Sequence, residues 1–178
     1  YDSSLTPTRV SAVDTLIDGD IVLTITGTGF TDDIEDYDIS VGERNCAVTT
    51  ASTSSISCTL ENGPAGDLDV IFYVKSKGKA TGSLVYTLEL SILSVTPSSG
   101  SVGGGTKIAI AGTGFPNSLD GWSNGLVQIG GNSCKITDTS FTEIKCITPP
   151  ESSSRRHKRS VTNIEVSLNG KSSSGLTF

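Results

Sequence analysis

The sequence predicts an all-β chain built as two copies of one small β-sandwich module, and three observations predict it. Helix signals are nearly absent: Val, Ile and Thr dominate the ordered segments, and Gly, Ser, Asn and Pro punctuate them at sandwich-like intervals. Cys46 and Cys58 enclose eleven residues, and Cys134 and Cys146 enclose eleven more. Each pair follows the tetrapeptide Gly-Thr-Gly-Phe, at Gly27–Phe30 and at Gly112–Phe115, and each tetrapeptide follows a Thr-Pro step, Thr6-Pro7 or Thr96-Pro97. The same landmarks in the same order make an internal duplication, with an offset of 88 residues between Cys46 and Cys134. That period is too long for a solenoid unit and close to one small β domain. The expected domains are residues 1–89 and 90–178.

The second copy gives the clearer element order. Ser91–Thr96 reads as a first strand and Pro97–Gly105 as a glycine-rich turn. Lys107–Ala111 alternates Lys-Ile-Ala-Ile-Ala, the period-2 pattern of a half-buried strand. Short strands follow at Leu126–Gly130, Cys134–Thr137 and Glu143–Thr148, and Asn163–Leu168 with Gly175–Phe178 complete seven. In the first copy Ile21–Thr26 answers Lys107–Ala111, Val70–Val74 answers Asn163–Leu168, and Leu84–Tyr86 answers Leu176–Phe178. Gly27–Phe30 and Gly112–Phe115 read as bulged strand ends, each Phe a core plug. Between the copies, Thr87–Ile92 holds no Gly and no Pro, so one module is expected to run almost directly into the next as a stiff pair.

Composition narrows the function. The net charge is −6, but residues 1–89 carry 14 acids and 5 bases while residues 90–178 carry 5 acids and 8 bases. An acidic first half argues against nucleic acid, whose binders need a basic face against phosphates. Four cysteines allow three pairings, and the duplication selects Cys46–Cys58 with Cys134–Cys146. Zinc is disfavoured, because neither pair has metal-ligand spacing and the only histidine, His157, lies in a basic stretch. Paired cysteines imply an oxidising, extracellular setting. No apolar run approaches the ~20 residues that span a bilayer. The polar opening Tyr1-Asp2-Ser3-Ser4 is no secretory signal, so the chain is read as a piece of something longer.

Ser94–Thr106, with its run Pro97-Ser98-Ser99-Gly100-Ser101-Val102-Gly103-Gly104-Gly105, followed by Ile108-Ala109-Ile110 and Gly112-Thr113-Gly114-Phe115, resembles the opening of an IPT/TIG domain. Gly130, Cys134, Cys146 and Pro149 complete that pattern. The first copy resembles it more loosely: it lacks the triple glycine and shows Leu60-Glu61 where Thr148-Pro149 stands. The resemblance implies two tandem immunoglobulin-like β-sandwiches of the IPT/TIG type, each with one internal disulfide. Tandem copies joined without a linker look most like the extracellular arrays of the fibrocystin family. That likeness implies a non-enzymatic structural or adhesion segment of a large cell-surface protein, of cell-surface-coat or stereocilia-coat type. Its implied partners are neighbouring modules of the same chain, with extracellular protein or heparan sulfate as further candidates. The alternative is a ligand-binding ectodomain fragment of a plexin- or Met-like receptor. A Rel-type DNA-binding module is disfavoured by the acidity and the paired cysteines.

The remaining motifs are weighed one by one. Gly100–Lys107 approaches a phosphate loop, but Thr106-Lys107 stands in the wrong order and no helix follows, so a turn explains it better. The acidic stretch holding Asp32, Asp33, Glu35, Asp36 and Asp38 is a weak calcium candidate, since it lacks the acid spacing and central Gly of an EF-hand. A solvated acidic loop is the plainer expectation. Arg155, Arg156, Lys158, Arg159 and Ser160 form the sharpest local signal. Arg156-His157-Lys158-Arg159 matches the R-x-[KR]-R preference of furin-like convertases, with cleavage expected after Arg159, and the same patch could hold heparan sulfate. Trp122, in the loop Asp120–Gly125, is a candidate interface anchor, with packing over the sandwich edge the stronger expectation. Nothing here can be assigned as acid, base or nucleophile, and no cofactor is expected.

Overall fold

A computed structural model describes residues 5–15, 20–80, 84–150 and 161–178, with residues 7–15 described by backbone alone. The chain divides into two compact units, one of Tyr1–Asn62 with Asp67–Thr87 and one of Gly63–Gly66 with Leu88–Phe178. The tetrapeptide Gly63–Gly66 therefore lies within the first repeat of sequence and within the second unit of structure.

The first repeat holds β1 (Thr6–Thr15), β2 (Ile21–Thr28), β3 (Tyr37–Val41), β4 (Arg44–Ala51), β5 (Ser55–Leu60), β6 (Gly66–Val74), β7 (Gly78–Lys79) and β8 (Leu84–Leu88). Alternation explains β2: Ile21, Leu23 and Ile25 turn inward while Val22, Thr24 and Thr26 stay half-buried. Strands run β1-β2-β5-β4-β3-β6-β7, with β8 on β6. β4 pairs with β5 through Cys46–Ala51 and with β3 through Arg44 and Asn45, so one strand carries the chain from one layer to the other. Leu23, Ile25, Ile56 and Leu60 from one layer and Ile39, Val41, Phe72 and Val74 from the other are buried. Each such side chain taken from water contributes about 1.5–3 kcal/mol.

The second unit repeats the scheme with β9 (Ser91–Thr96), β10 (Lys107–Thr113), β11 (Gly125–Ile129), β12 (Asn132–Ser133), β13 (Lys135–Ser140), β14 (Glu143–Ile147), β15 (Asn163–Leu168) and β16 (Lys171–Thr177). They form two four-stranded sheets, β13-β14-β10-β9 and β12-β11-β15-β16. The strand expected at Cys134–Thr137 is divided, because the chain changes sheets there. Cys134 donates its N–H to the Val127 carbonyl at 2.8 Å, whereas Lys135 already pairs with Ile147 of β14. The last strand begins earlier than expected, at Lys171. Asn169 (φ 49°) and Gly170 (φ 78°) make a two-residue turn with both angles positive, the hairpin geometry that Asn-Gly favours, so β16 starts at once.

Each unit carries the expected disulfide, Cys46–Cys58 and Cys134–Cys146, and no cysteine is free. Both bridges join neighbouring antiparallel strands of one sheet, β4 to β5 and the start of β13 to β14. Antibody domains instead bridge their two sheets. Here the staple sits where the chain crosses between layers, and it closes a loop whose constraint contributes about 3 kcal/mol in the chain-entropy estimate.

Candidate functional site

The repeated Gly-Thr-Gly-Phe tetrapeptide builds one structural corner in each unit. Gly29 has φ 79° and Gly114 has φ 80°, a region that L side chains rarely adopt, so the sequence imposes the same backbone twice. The phenylalanine that follows is buried in both, Phe30 stacked on Phe72 at 5.2 Å between ring centroids and Phe115 against Trp122 at 6.3 Å. Gly112 is required for a further reason. A Cβ there would lie 2.1 Å from the Ser91 carbonyl oxygen and 2.6 Å from the Phe115 ring, at the bulge where the β9–β10 register shifts.

What differs is the group that meets the corner. In the first unit the Gly29 carbonyl accepts from Lys77 Nζ at 2.5 Å. In the second unit the Gly114 carbonyl accepts from the Ala65 backbone N–H at 2.8 Å, and Asn169 Nδ2 donates to the Ala65 carbonyl at 3.1 Å. Sequence reasoning missed Lys77, Ala65 and Asn169. Only the Asn169-Gly170 pair left a local signal, that of a tight turn.

The acidic stretch is organised by hydrogen bonds. Asp33 caps the short turn Ile34–Asp36 by accepting from the Glu35 N–H at 3.0 Å. Asp36 accepts the Ser76 N–H at 2.9 Å, the Ser76 hydroxyl and the Thr31 hydroxyl, while Lys75 Nζ donates to the Glu35 carbonyl. The Ser76 hydroxyl leads in holding the Asp36 carboxyl below the usual aspartate range, helped by the Ser76 N–H, Thr31 and Lys75. Tyr37 closes the loop by donating its hydroxyl to the Thr31 carbonyl at 2.7 Å and accepting the Thr31 N–H at 2.6 Å. Among the described residues no three His, Cys, Asp or Glu side chains converge as a metal site would need. Asp32, Asp33, Glu35 and Asp36 thus lie in a strap fastened at Lys75 and Ser76, while Asp38 stands on β3, paired with Tyr73 of β6.

Trp122 is not presented to solvent. It is 7% exposed, belongs to the second core, and donates Nε1–H to Thr139 Oγ1 at 3.2 Å, while that hydroxyl donates to the Pro116 carbonyl at 2.7 Å. A polar partner for the indole N–H lets the whole ring be buried. Arg155, Arg156, Lys158, Arg159 and Ser160 lie outside the described residues.

Two further features complete the survey. On the second unit, Lys145 Nζ reaches Asp138 at 3.1 Å and Glu143 at 3.2 Å. The hydrogen bond to Asp138 raises the lysine above its ordinary range and lowers the aspartate below its own. All three are well exposed, so the cluster contributes little. An open groove runs between Ser98, Gly100, Ile129, Pro149, Val161 and Phe178, and among the described residues no titratable side chain lines it.

Comparison with known proteins agrees with this architecture. The IPT/TIG domain matches the chain twice, over residues 5–88 and 90–178. Fibrocystin-L of Mus musculus is 31% identical over 155 residues, 86% of this chain and 4% of that protein. Fibrocystin-L of Homo sapiens is 30% identical over 127 residues, 70% of this chain and 3% of that protein. The chain thus spans 3% to 4% of the length of these curated relatives. Among solved structures, the full extracellular region of Plexin A4 aligns with a TM-score of 0.43 at 22% identity, over 97% of this chain and 18% of that one.

Proposed function

Because the chain belongs to the IPT/TIG domain family, we propose that it is an extracellular, non-enzymatic segment of a large cell-surface protein, and that its role is structural or adhesive. The observation that carries this reading is the pair of staples. All four cysteines are bridged, each bridge within one sheet at the strand that changes layers. Such a chain needs an oxidising compartment to reach its folded state. The Fibrocystin-L relatives support an extracellular IPT/TIG segment of a much longer protein, and the coat-like or array-like setting is part of the proposal.

The test is secretion of the chain from mammalian cells beside variants in which one cysteine pair, Cys46/Cys58 or Cys134/Cys146, is replaced by serine. Reduced secretion of both variants is the expected result. Equal secretion of all three would remove the support that the staples give to an extracellular role.

The basic stretch Arg155–Ser160 retains its proposed role as a convertase site or heparan sulfate contact, on the strength of its sequence alone. Intact mass of the secreted chain, with and without a convertase inhibitor, tests the first. Loss of residues 160–178 that the inhibitor reverses would support cleavage after Arg159, and an unchanged mass would leave heparin-column retention to decide the second.

A further inference from the structure

We infer that the glycine corner of the second module is a peptide-seating site, and that its occupant is the tetrapeptide Gly63–Gly66 of this chain. The proposal concerns what completes the second fold, and it stands whether or not the segment serves an extracellular array.

The seat recognises the occupant in three ways. It satisfies the peptide's polar groups: the Ala65 N–H donates to the Gly114 carbonyl at 2.8 Å, and the Ala65 carbonyl accepts from Asn169 Nδ2 at 3.1 Å. It buries the side chain, since Ala65 is 1% exposed and belongs to the same core cluster as Leu90, Phe115 and Trp122. It also limits size. A Cβ added at Gly114 would lie 3.0 Å from the Ala65 Cβ and 2.7 Å from the Glu89 carbonyl oxygen, so glycine on the seat leaves room for a small residue on the occupant. The ligand class is a short irregular peptide segment with alanine between proline and glycine, as in Gly63-Pro64-Ala65-Gly66.

Asn169 gives the seat its second contact. Among the described residues it is the one non-glycine residue with positive φ, 49°. Glycine would take that angle with less strain, so its backbone conformation alone does not call for a side chain there. The amide reaching Ala65 supplies a reason. The first module has the same corner and no such seat, because Lys77 Nζ occupies the Gly29 carbonyl.

The experiment uses the whole chain. Trp122 is the only tryptophan and lies in the second core, so its fluorescence follows unfolding of that module. Ala65→Asp should lower the Trp122-monitored denaturation midpoint and raise amide exchange at Gly114 and Phe115 at least tenfold. Amides of Leu23 and Ile25 in β2 should keep their protection. Asn169→Gly removes the amide and keeps the turn, so it should speed exchange at the Ala65 amide several-fold even if Ala65→Asp fails to fold. An unprotected Ala65 amide in the unmodified chain would overturn the proposal. So would an unchanged Trp122 midpoint in Ala65→Asp, or unchanged Ala65 exchange in Asn169→Gly.

Discussion

The two Gly-Thr-Gly-Phe corners have one sequence, nearly one backbone angle and two different partners. Gly29 and Gly114 differ by one degree in φ, yet a lysine ammonium meets the first carbonyl and a backbone amide meets the second. The conformation is a local property, because glycine relieves the Cβ clash wherever it stands. The partner is set by what other segments deliver to the corner. A charged side chain on a flexible stem can detach at modest cost. A buried peptide group cannot, because a buried acceptor stripped of its donor retains its desolvation penalty.

The largest effect should come from the two plugs. Phe115→Ala and Phe30→Ala should each cost about 3–5 kcal/mol, as large-to-small core changes do. Denaturation followed by Trp122 fluorescence reads the second, and exchange at β2 and β5 reads the first. A difference of more than about 2 kcal/mol between them would break the equivalence of the two corners. Next come the glycines. Gly112→Ala should cost about 3 kcal/mol or more, since its Cβ would stand 2.1 Å from a backbone oxygen. Gly29→Ala should cost about 1–2 kcal/mol from positive φ.

Removing either staple should cost about 3 kcal/mol, equally in the two modules, because both bridges span a sequence separation of 12. Urea denaturation of the paired Cys→Ser variants measures this, and unequal losses would show that one bridged strand is held by more than its bridge. Lys77→Met should cost about 1 kcal/mol or less, since the ammonium is exposed and water replaces it at the Gly29 carbonyl. Protection of β2 amides reads that change.

The smallest effects follow pH. Asp36 in the first module and Asp138 in the second both have carboxyls held below the usual range in the folded state. Stability from each is present above the unfolded value and lost as pH falls through the folded one. Lys145 is raised, so its contribution is present below the unfolded value and lost as pH rises through the folded one. Asp36→Asn should flatten the acid response of the first module alone. An unchanged acid limb at β2 amides would assign that response to other carboxylates.

Much of the fold was legible because its signals are local. Inward alternation marked β10 and the repeat carried it to β2, the cysteine spacing marked both staples, and Phe30 and Phe115 were readable as plugs from the tetrapeptide that each one ends. Asn169-Gly170 announced a hairpin turn whose consequence, an earlier start to β16, sequence reading passed over. Trp122 was read two ways, as packed or as an interface anchor, because its neighbours Gly121, Ser123, Asn124 and Gly125 suit an exposed loop. Its burial depends on Thr139, 17 residues away, which supplies the acceptor for its N–H. The fastening of the acidic loop left no local signal, because its partners, Lys75 and Ser76, stand 40 residues on.

The sequence by itself determined the duplication, the β class, the pairing of the cysteines and the backbone of both glycine corners. Each of these rests on a residue's own conformational limits or on a repeated spacing, and neither needs the fold to be known. Only the tertiary structure decided that Trp122 is core, that Asp36 is a fastener, and that Gly63–Gly66 belongs with the second module. Asn169 and Ala65 are 104 residues apart, and no periodicity or motif links them. Their contact exists because folding brings a small residue and an open carbonyl to one place, and burying both unpaired would cost more than joining them.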